Sequence, residues 1–224
     1  MKFIDKIIGL IAPHHCIICN AEGTILCQAC YLSEFINQVS ACFICEKATV
    51  DSKVCDKCTS KTPIRRLRVS TYLDPHVQKL IYNLKFSRTY ACARRIAEIL
   101  DDTSPLLFSN TVVTFVPSSP SRMRARGYDH AKLIAKEFAR IRGLKCKPLL
   151  SKTNNSRQVG ANKKQRLQQA RSSYRLKSRQ VELDSPIILI DDIVTTGATL
   201  GACAELLKKA GYKDVSCMAF AKKF

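Results

Sequence analysis

The chain has 224 residues, of which 37 are Lys or Arg and 18 are Asp or Glu, so its formal net charge at pH 7 is +19. That length has room for one α/β domain of about 150 residues and a small second unit, which excludes several large domains. A balance this basic favours a polyanionic partner or an anionic surface. Twelve cysteines without an evident secretory signal favour a reducing cytosol over a disulfide scaffold. We therefore expect a cytoplasmic protein.

Residues 3–11 carry apolar side chains at helical spacing, namely Phe3, Ile4, Ile7, Ile8 and Ile11. Asp5 and Lys6 interrupt this stretch, which excludes a transmembrane span. The favoured interpretation is a short helix that docks on the body of the protein. The alternative is a weak interfacial anchor that would hold the protein peripherally at the inner membrane.

Eight cysteines occur in four Cys-x-x-Cys pairs: Cys16 and Cys19, Cys27 and Cys30, Cys42 and Cys45, and Cys55 and Cys58. Each pair can present two thiolates to one metal ion, and two pairs complete a tetrahedral Cys₄ zinc site. The pairs are separated by 7, 11 and 9 residues, and the two shorter gaps favour two successive zinc ribbons, with a crossed pairing left open. We expect two structural Zn²⁺ ions that stabilise a region with little apolar core.

A polar and basic connector, residues 59–68, follows the last cysteine pair. We place a domain boundary inside it. Residues 1–62 are predicted to form the N-terminal helix and the double zinc-ribbon domain, and residues 63–224 are predicted to form an α/β domain.

Alternating strand and helix patterns fill the second region, as is typical of a parallel sheet flanked by helices. Strands are predicted at 68–73, 111–116, 147–150, 187–190 and 213–220, and helices at 77–84, 93–100, 127–143 and from 199 to 211. Lys85 and Arg88 lie between the first two helices, where solvated surface is favoured over a ligand-facing loop. Cys92, Cys146, Cys203 and Cys217 fall in apolar patterns and are expected to be buried thiols.

The rest of the chain is organised around residues 186–201. Two carboxylates, Asp191 and Asp192, follow an unbroken apolar strand, and a loop that opens a helix comes next: Thr195, Thr196, Gly197, Ala198 and Thr199. Free N–H groups at the start of a helix and threonine hydroxyls suit a phosphate, and the glycine lets the backbone approach it. The carboxylates suit sugar hydroxyls. A magnesium site of Walker-B type is disfavoured because no Gly-x-x-x-x-Gly-Lys-Ser/Thr motif accompanies it.

This stretch resembles the phosphoribosyl diphosphate (PRPP) motif of type I phosphoribosyltransferases. The resemblance implies that the two acids hold the ribose hydroxyls and that the threonine loop holds the 5′-phosphate. A second loop for the pyrophosphate is expected after an earlier strand, where Ser118 and Ser119 lie, with Arg122 and Arg126 to neutralise its charge. Mg²⁺ would accompany PRPP. His130 is expected to start a helix rather than to act as a base.

The order of motifs narrows the resemblance. A Cys-rich amino end, an Arg-x-x-x-Arg-Gly-Tyr-Asp segment that ends at Asp129, residues 158–160 (Gln-Val-Gly) and the PRPP motif are together similar to the ComF family. Asp129 stands where many members carry Asn. The resemblance covers nearly the whole chain and implies a competence protein that handles incoming single-stranded DNA during natural transformation, with other competence proteins as further partners.

The positive charge is concentrated in residues 119–180, here called the basic belt, which hold 18 Lys or Arg against 2 Asp or Glu. Residues 151–166 are polar and fit either a loop that closes over a reacting centre or a nucleic-acid contact through Arg157, Lys163, Lys164 and Arg166. Tyr128 or Tyr174 could stack a base, although a core or edge position is favoured for Tyr174. Two hypotheses follow: a ComF-type protein that binds single-stranded DNA and PRPP, or an active phosphoribosyltransferase that moves phosphoribose to a nitrogen acceptor.

Overall fold

A five-stranded parallel sheet forms the centre of the molecule. The computed structural model describes residues 14–35, 40–87, 89–153, 172–177 and 181–223. The sheet has the order β1-β7-β6-β2-β3 and all of its neighbours run parallel. Its strands are β1 (Leu67–Tyr72), β2 (Val112–Phe115), β3 (Lys145–Cys146), β6 (Ile187–Val194) and β7 (Val215–Lys222), and a separate antiparallel pair joins β4 (Leu150–Lys152) to β5 (Tyr174–Leu176). The predicted α/β class is confirmed.

Three of the described helices begin at a residue whose side chain caps the first turn, namely Asp74, Ser119 and Asp129. The described helices are α1 (Gln28–Phe35), α2 (Asp56–Thr59), α3 (Pro75–Phe86), α4 (Ala91–Asp102), α5 (Pro120–Arg126), α6 (His130–Ile141) and α7 (Ala198–Lys209), with a short 3₁₀ turn at Val50–Ser52. At the start of α3, Asp74 accepts from the N–H of Val77 at 2.8 Å, and Pro75 suits the first helical turn. No helix within the described ranges is long and apolar enough to cross a bilayer.

Two apolar cores lie on opposite faces of the sheet, because successive side chains of each strand point to opposite sides. On the first face, Ile188 and Ile190 pack with α3, α4 and α6. On the second face, Ile187 and Leu189 pack with α7. Strand β6 therefore contributes to both cores, as expected for a strand that is buried on both sides.

The cysteine-rich region divides between these two faces. The first ribbon (residues 14–35) packs into the core of the first face, where Phe35 stacks on Phe220 with ring centroids 6.5 Å apart. The second ribbon (residues 40–62) packs into the core of the second face through Phe43 and Val54. The cysteine-rich region therefore packs on both sides of the sheet, and the domain boundary between residues 62 and 63 stays a prediction.

Three sequence predictions differ from the structure. The strand expected at 147–150 is wrong, because Pro148 lacks an N–H donor and separates β3 from β4. No helix was predicted over the residues of α5, which Gly127 ends with a φ of 82°. Of the four thiols expected to be buried, Cys146 is only half-buried, whereas Cys92, Cys203 and Cys217 are buried.

Candidate phosphoribosyl-binding site

A crevice opens where the connections of two neighbouring strands diverge. β2 and β6 pair in the middle of the sheet, but β2 continues through α5 and α6 to β3, whereas β6 continues through α7 to β7. Ligands of open α/β sheets bind beyond the strand ends at such a topological switch point. The loop after β2 and the loop after β6 both lie at this edge, as the sequence predicted for two phosphate-binding loops.

The two predicted carboxylates are part of β6 rather than of the loop that follows it. Asp191 and Asp192 are 9% and 6% exposed, because the strand extends to Val194. Neighbouring residues of a strand face opposite sides, so the two acids have different surroundings.

Asp192 points toward the first face and is held by two cationic or polar partners. Its Oδ2 forms an ion pair with Lys85 Nζ and lies 3.4 Å from His130 Nε2. Burial alone would raise the pKa of the carboxyl, but the hydrogen bond with His130 and the charge of Lys85 outweigh burial and lower the pKa. Asp192 is therefore an ionised acceptor in the floor of the crevice.

Asp191 has the opposite electrostatic environment. Burial, followed by the neighbouring charge of Asp192, raises the pKa of Asp191 well above its usual value. Its Oδ1 accepts from the N–H of Asp192 at 2.9 Å. Burial and then the charge of Asp191 raise the pKa of the Cys203 thiol on α7, which is consistent with Asp191 facing the second side of the sheet.

The threonine loop begins α7 and rests on the second ribbon. Thr195 and Thr196 are exposed, and Thr196 Oγ1 accepts from the N–H of Ala198 at 3.4 Å. Gly197 precedes the helix with a φ of 74°, a conformation that favours glycine. A Cβ on Gly197 would lie 2.8 Å from Cε2 of Phe43. Both the backbone angle and the aromatic ring beneath the loop therefore require glycine.

The loop after β2 is organised by an acid that starts α6. Asp129 accepts from the N–H of Ser118 at 2.8 Å and from its hydroxyl at 3.2 Å, and it also caps α6 by accepting from the N–H of Ala131. Ser119 Oγ accepts from the N–H of Arg122 at the start of α5. The N–H of Ser118, in the loop predicted to bind the pyrophosphate, is therefore engaged by Asp129.

The two predicted arginines differ in their contacts. The Arg122 side chain is exposed at the crevice edge of α5. Arg126 is half-buried, with Nη1 3.1 Å from Nδ1 of His130 and its guanidinium 5.0 Å from the ring centre of Phe86. Arg126 thus joins the crevice, through His130, to an aromatic surface outside it.

Both cysteine clusters have the geometry of Cys₄ metal sites. The ligand atoms of each cluster lie within 4.8 Å of one another, and the two clusters are Cys16, Cys19, Cys27 and Cys30, and Cys42, Cys45, Cys55 and Cys58. The pairing is therefore successive, as favoured, and the crossed pairing is wrong. Backbone N–H groups outweigh burial and lower the pKa of Cys16 and Cys42 to about 6, whereas burial and the neighbouring thiols raise the pKa of Cys30 and Cys58 to about 12. The positive charge of a bound metal ion would favour the thiolate form of those two residues. A donor set of four thiolates fits Zn²⁺ in each cluster.

The two clusters share their local backbone as well. In each, the residue after the second cysteine has a positive φ, 61° at Asn20 and 61° at Glu46. Its N–H donates back to the first cysteine carbonyl, at 2.9 Å in the first ribbon and 2.8 Å in the second. The same tight turn therefore presents the first two thiols of each site.

Several predicted residues have a different position in the structure. Lys85 is not solvated surface, because it is largely buried against Asp192. Tyr174 is 2% exposed, so the favoured core position is confirmed and the base-stacking alternative is wrong, whereas Tyr128 is half-buried beside Tyr90. The predicted DNA contacts Arg157, Lys163, Lys164 and Arg166, the Gln-Val-Gly segment and Arg88 lie outside the described residues, as do residues 3–11 of the predicted membrane contact.

Three residues of the site were not identified as such from the sequence. Asp129 had a local signal, since an acid directly before an amphipathic helix is a common N-cap. Lys85 and His130 approach Asp192 only through tertiary packing. Nothing local to those two residues indicated that contact.

Comparison with known proteins agrees with this geometry. Residues 125–223 match the family model described as the phosphoribosyl transferase domain. The DNA utilization protein YhgH of Escherichia coli K12 is 26% identical over 215 residues, which cover 83% of this chain and 92% of that protein. Competence protein F of Haemophilus influenzae is 24% identical over 75% of this chain and 78% of that protein.

A third relative is more similar over a shorter region. The competence protein ComFC of Streptococcus pneumoniae is 32% identical over 107 residues, which are 48% of this chain and 46% of that protein. The matched domain, the paired Cys₄ clusters and these relatives together support the resemblance to the ComF family that the sequence indicated.

Proposed function

We propose that this protein is a ComF-type competence protein that binds PRPP in the crevice between β2 and β6 and binds single-stranded DNA on its basic surface. The observation that carries the proposal is the placement of two buried acids and an exposed threonine loop at the topological switch point of the sheet. Peripheral membrane contact through residues 3–11 and contacts with other competence proteins remain parts of the same proposal.

Each part of PRPP has a chemically suitable partner at this edge. Asp191 and Asp192 accept from the ribose hydroxyls, and the N–H groups and hydroxyls of residues 195–199 surround the 5′-phosphate. Ser119, Arg122 and Arg126 lie on the side of the loop after β2, where they would meet the pyrophosphate. Bound Mg²⁺ would neutralise part of that pyrophosphate charge, and its ligands would come mainly from PRPP itself.

Binding of the sugar at Asp192 involves an exchange of partners. The carboxylate is paired with Lys85 in this structure, so a ribose hydroxyl must share or replace that contact. Lys85 Nζ would then be free to meet a phosphate oxygen of the same ligand. Lys85 and His130 are positioning residues in this account, because they set the ionisation and orientation of Asp192.

Charge supports the single-stranded DNA part of the proposal. The basic belt holds 18 Lys or Arg against 2 Asp or Glu and so accounts for most of the net charge of +19. Binding to a phosphate backbone is driven largely by the release of counterions. The names of the relatives, a DNA utilization protein and two competence proteins, agree with a role in DNA handling. No sequence motif for reading a duplex major groove is present, which favours a single strand.

One experiment tests the DNA contact. Anisotropy of a labelled oligonucleotide is measured across a salt series for the wild type and for the variant in which Lys163, Lys164 and Arg166 are replaced by Ala. We expect weaker binding and a salt slope reduced by up to about 2, at ~0.7 per lost phosphate contact. Absence of binding at low salt would end the DNA proposal, and a preference for duplex would contradict the single-strand assignment.

A second experiment separates binding from catalysis. Pyrophosphate release from PRPP is followed with candidate nitrogen acceptors, with and without single-stranded DNA. The proposal predicts PRPP binding without rapid turnover. Fast, acceptor-dependent release would favour the alternative, an active phosphoribosyltransferase.

A further inference from the structure

Two pairs of aromatic rings, with three of the four rings exposed, lie beside the crevice and have no role in the sites described above. Tyr82 and Phe86 are each 58% exposed on α3, and Tyr90 is 52% exposed just before α4. The rings of Tyr82 and Phe86 are 4.9 Å apart, and those of Tyr90 and Tyr128 are 5.2 Å apart. These four rings are here called the aromatic ledge.

The ledge is not part of the hydrophobic core. The core side of α3 is formed by Val77, Leu80, Ile81 and Leu84, and Tyr82 and Phe86 are spaced one helical turn apart outside that stripe. Large aromatic rings that are about half exposed and adjacent to one another mark interaction surfaces more often than isolated apolar side chains do.

A cation lies on the ledge and connects it to the crevice. The Arg126 guanidinium lies over the Phe86 ring at 5.0 Å and contacts His130 on its other side. Arg122 and Arg124 are exposed on the same short helix. Lys85, the sequence neighbour of Phe86, reaches Asp192. An aromatic face therefore lies against a positive charge beside a predicted sugar-phosphate site.

We infer that the aromatic ledge is a stacking platform for the bases of single-stranded nucleic acid, with the arginines of α5 meeting its phosphates. This inference rests on the proposed DNA binding and deepens it by naming where the bases lie. Stacking on aromatic rings beside arginines is how single strands are bound without sequence preference. A duplex hides its base faces, so the ledge also supplies a physical reason for the single-strand preference.

The test compares ledge variants with a matched control on two kinds of oligonucleotide. The ledge variant replaces Tyr82 and Phe86 by Ala. The control is Phe108→Ala, because Phe108 is 72% exposed and lines a pocket at the opposite, amino-terminal end of the strands. Binding is measured by anisotropy with an oligothymidylate and with an abasic strand of equal length and charge.

We expect the ledge variant to bind the oligothymidylate about ten-fold or more weakly than wild type, with an unchanged salt slope, because bases rather than phosphates are lost. The Phe108→Ala control should bind like wild type. The wild type should also lose affinity for the abasic strand, whereas the ledge variant should bind both strands alike. Thermal unfolding confirms that each variant is folded.

A fluorescent variant gives a direct signal for stacking. The chain contains no Trp, so Phe86→Trp introduces a single tryptophan into the ledge. We expect this variant to keep its affinity and its emission to be quenched by the oligothymidylate but not by the abasic strand.

The outcomes distinguish the inference from the function on which it rests. If the wild type binds no single strand, the proposed DNA binding fails. If the wild type binds but the ledge variant binds equally well, or the abasic strand binds as tightly as the oligothymidylate, the ledge inference is overturned while DNA binding stands. A ledge variant that loses binding only to anionic phospholipid vesicles would also overturn it and would indicate a membrane surface.

Discussion

The two faces of the central sheet carry similar Cys₄ ribbons but differ in what those ribbons support. On the first face, a Cys₄ ribbon packs with α3, α4 and α6, and the acid on that side, Asp192, is ionised and paired. On the second face, an equivalent ribbon packs with α7 beneath the threonine loop. Asp191 is buried on that side, and the charge of Lys85 does not offset the effect of burial on its pKa. One strand, β6, presents one acid to each side.

The two faces therefore influence the crevice in different ways. The first face sets the charge of Asp192, because Lys85 and His130 contact it there and Arg126 contacts His130. The second face sets backbone shape, because Phe43 of the second ribbon fills the space where a Cβ of Gly197 would lie. We therefore expect substitutions on the first face to alter the ionisation of Asp192 and substitutions on the second face to alter the conformation of the threonine loop.

Metal removal should have the largest effect on both faces. Structural Zn²⁺ contributes on the order of 10 kcal/mol to small Cys₄ modules, so a strong chelator should unfold both ribbons.

Elemental analysis should find about two Zn²⁺ per chain. The Cys16→Ser/Cys19→Ser and Cys42→Ser/Cys45→Ser variants should each keep about one, and only the second should lose PRPP binding while the rest of the chain stays folded. Equal loss in both variants would contradict this difference between the two faces.

Glycine substitution should separate backbone strain from the Phe43 contact. Gly197→Ala places a Cβ 2.8 Å from the Phe43 ring at a φ of +74°, so we expect a cost of about 1–2 kcal/mol for the left-handed backbone and about 1–3 kcal/mol for the overpacked ring. Gly143→Ala is the control, because its φ is +66° and nothing lies within 4 Å.

Urea unfolding measures both variants. Adding Phe43→Ala to Gly197→Ala should recover part of the lost stability, since the ring no longer opposes the Cβ. If Gly197→Ala and Gly143→Ala are equally destabilising, the second ribbon does not support the loop.

The two acids should affect stability with opposite signs. The folded pKa of Asp191 is raised above its usual 3.8, so its contribution to stability is lost as the pH rises and Asp191→Asn should stabilise the protein at pH 7. The folded pKa of Asp192 is lowered, so its contribution is present at neutral pH and is lost in acid. Asp192→Asn should therefore cost about 1–3 kcal/mol at pH 7, because Lys85 loses its partner.

Free energies of unfolding at several pH values measure this contrast. Both differences from wild type should be largest near pH 7. As the pH falls, the Asp191→Asn difference should narrow between the raised folded pKa of Asp191 and its usual 3.8, whereas the Asp192→Asn difference should narrow only below 3.8, where the unfolded acid becomes protonated. Changes of the same sign for the two variants would show that the faces do not differ electrostatically.

Features of this protein that depend only on neighbouring residues in the sequence were predictable. The four Cys-x-x-Cys pairs predicted two successive clusters, and the apolar run before Asp191 predicted a buried strand. The end of that strand was placed too early, because two adjacent acids normally mark exposed positions. Here the strand continues, since Asp192 has Lys85 and His130 as partners.

Features that depend on distant contacts were not predictable from a single chain. The requirement for glycine at 197 was attributed to phosphate approach alone, yet it also depends on Phe43 in the second ribbon. Lys85 was interpreted as surface because its partner lies on another element. Tyr82 and Phe86 of the aromatic ledge were not predicted as a binding surface, because they lie outside the apolar stripe of the helix and exposed rings form no periodic sequence pattern.

Calorimetry with PRPP and Mg²⁺ tests the central claim most directly, with the wild type and the Asp191→Ala/Asp192→Ala variant compared side by side. Loss of both sugar acceptors should weaken PRPP binding by roughly 2–4 kcal/mol, and the Gly143→Ala control should bind PRPP like wild type. Unchanged affinity in a folded double variant would contradict the claim that β6 presents both acids to the ribose.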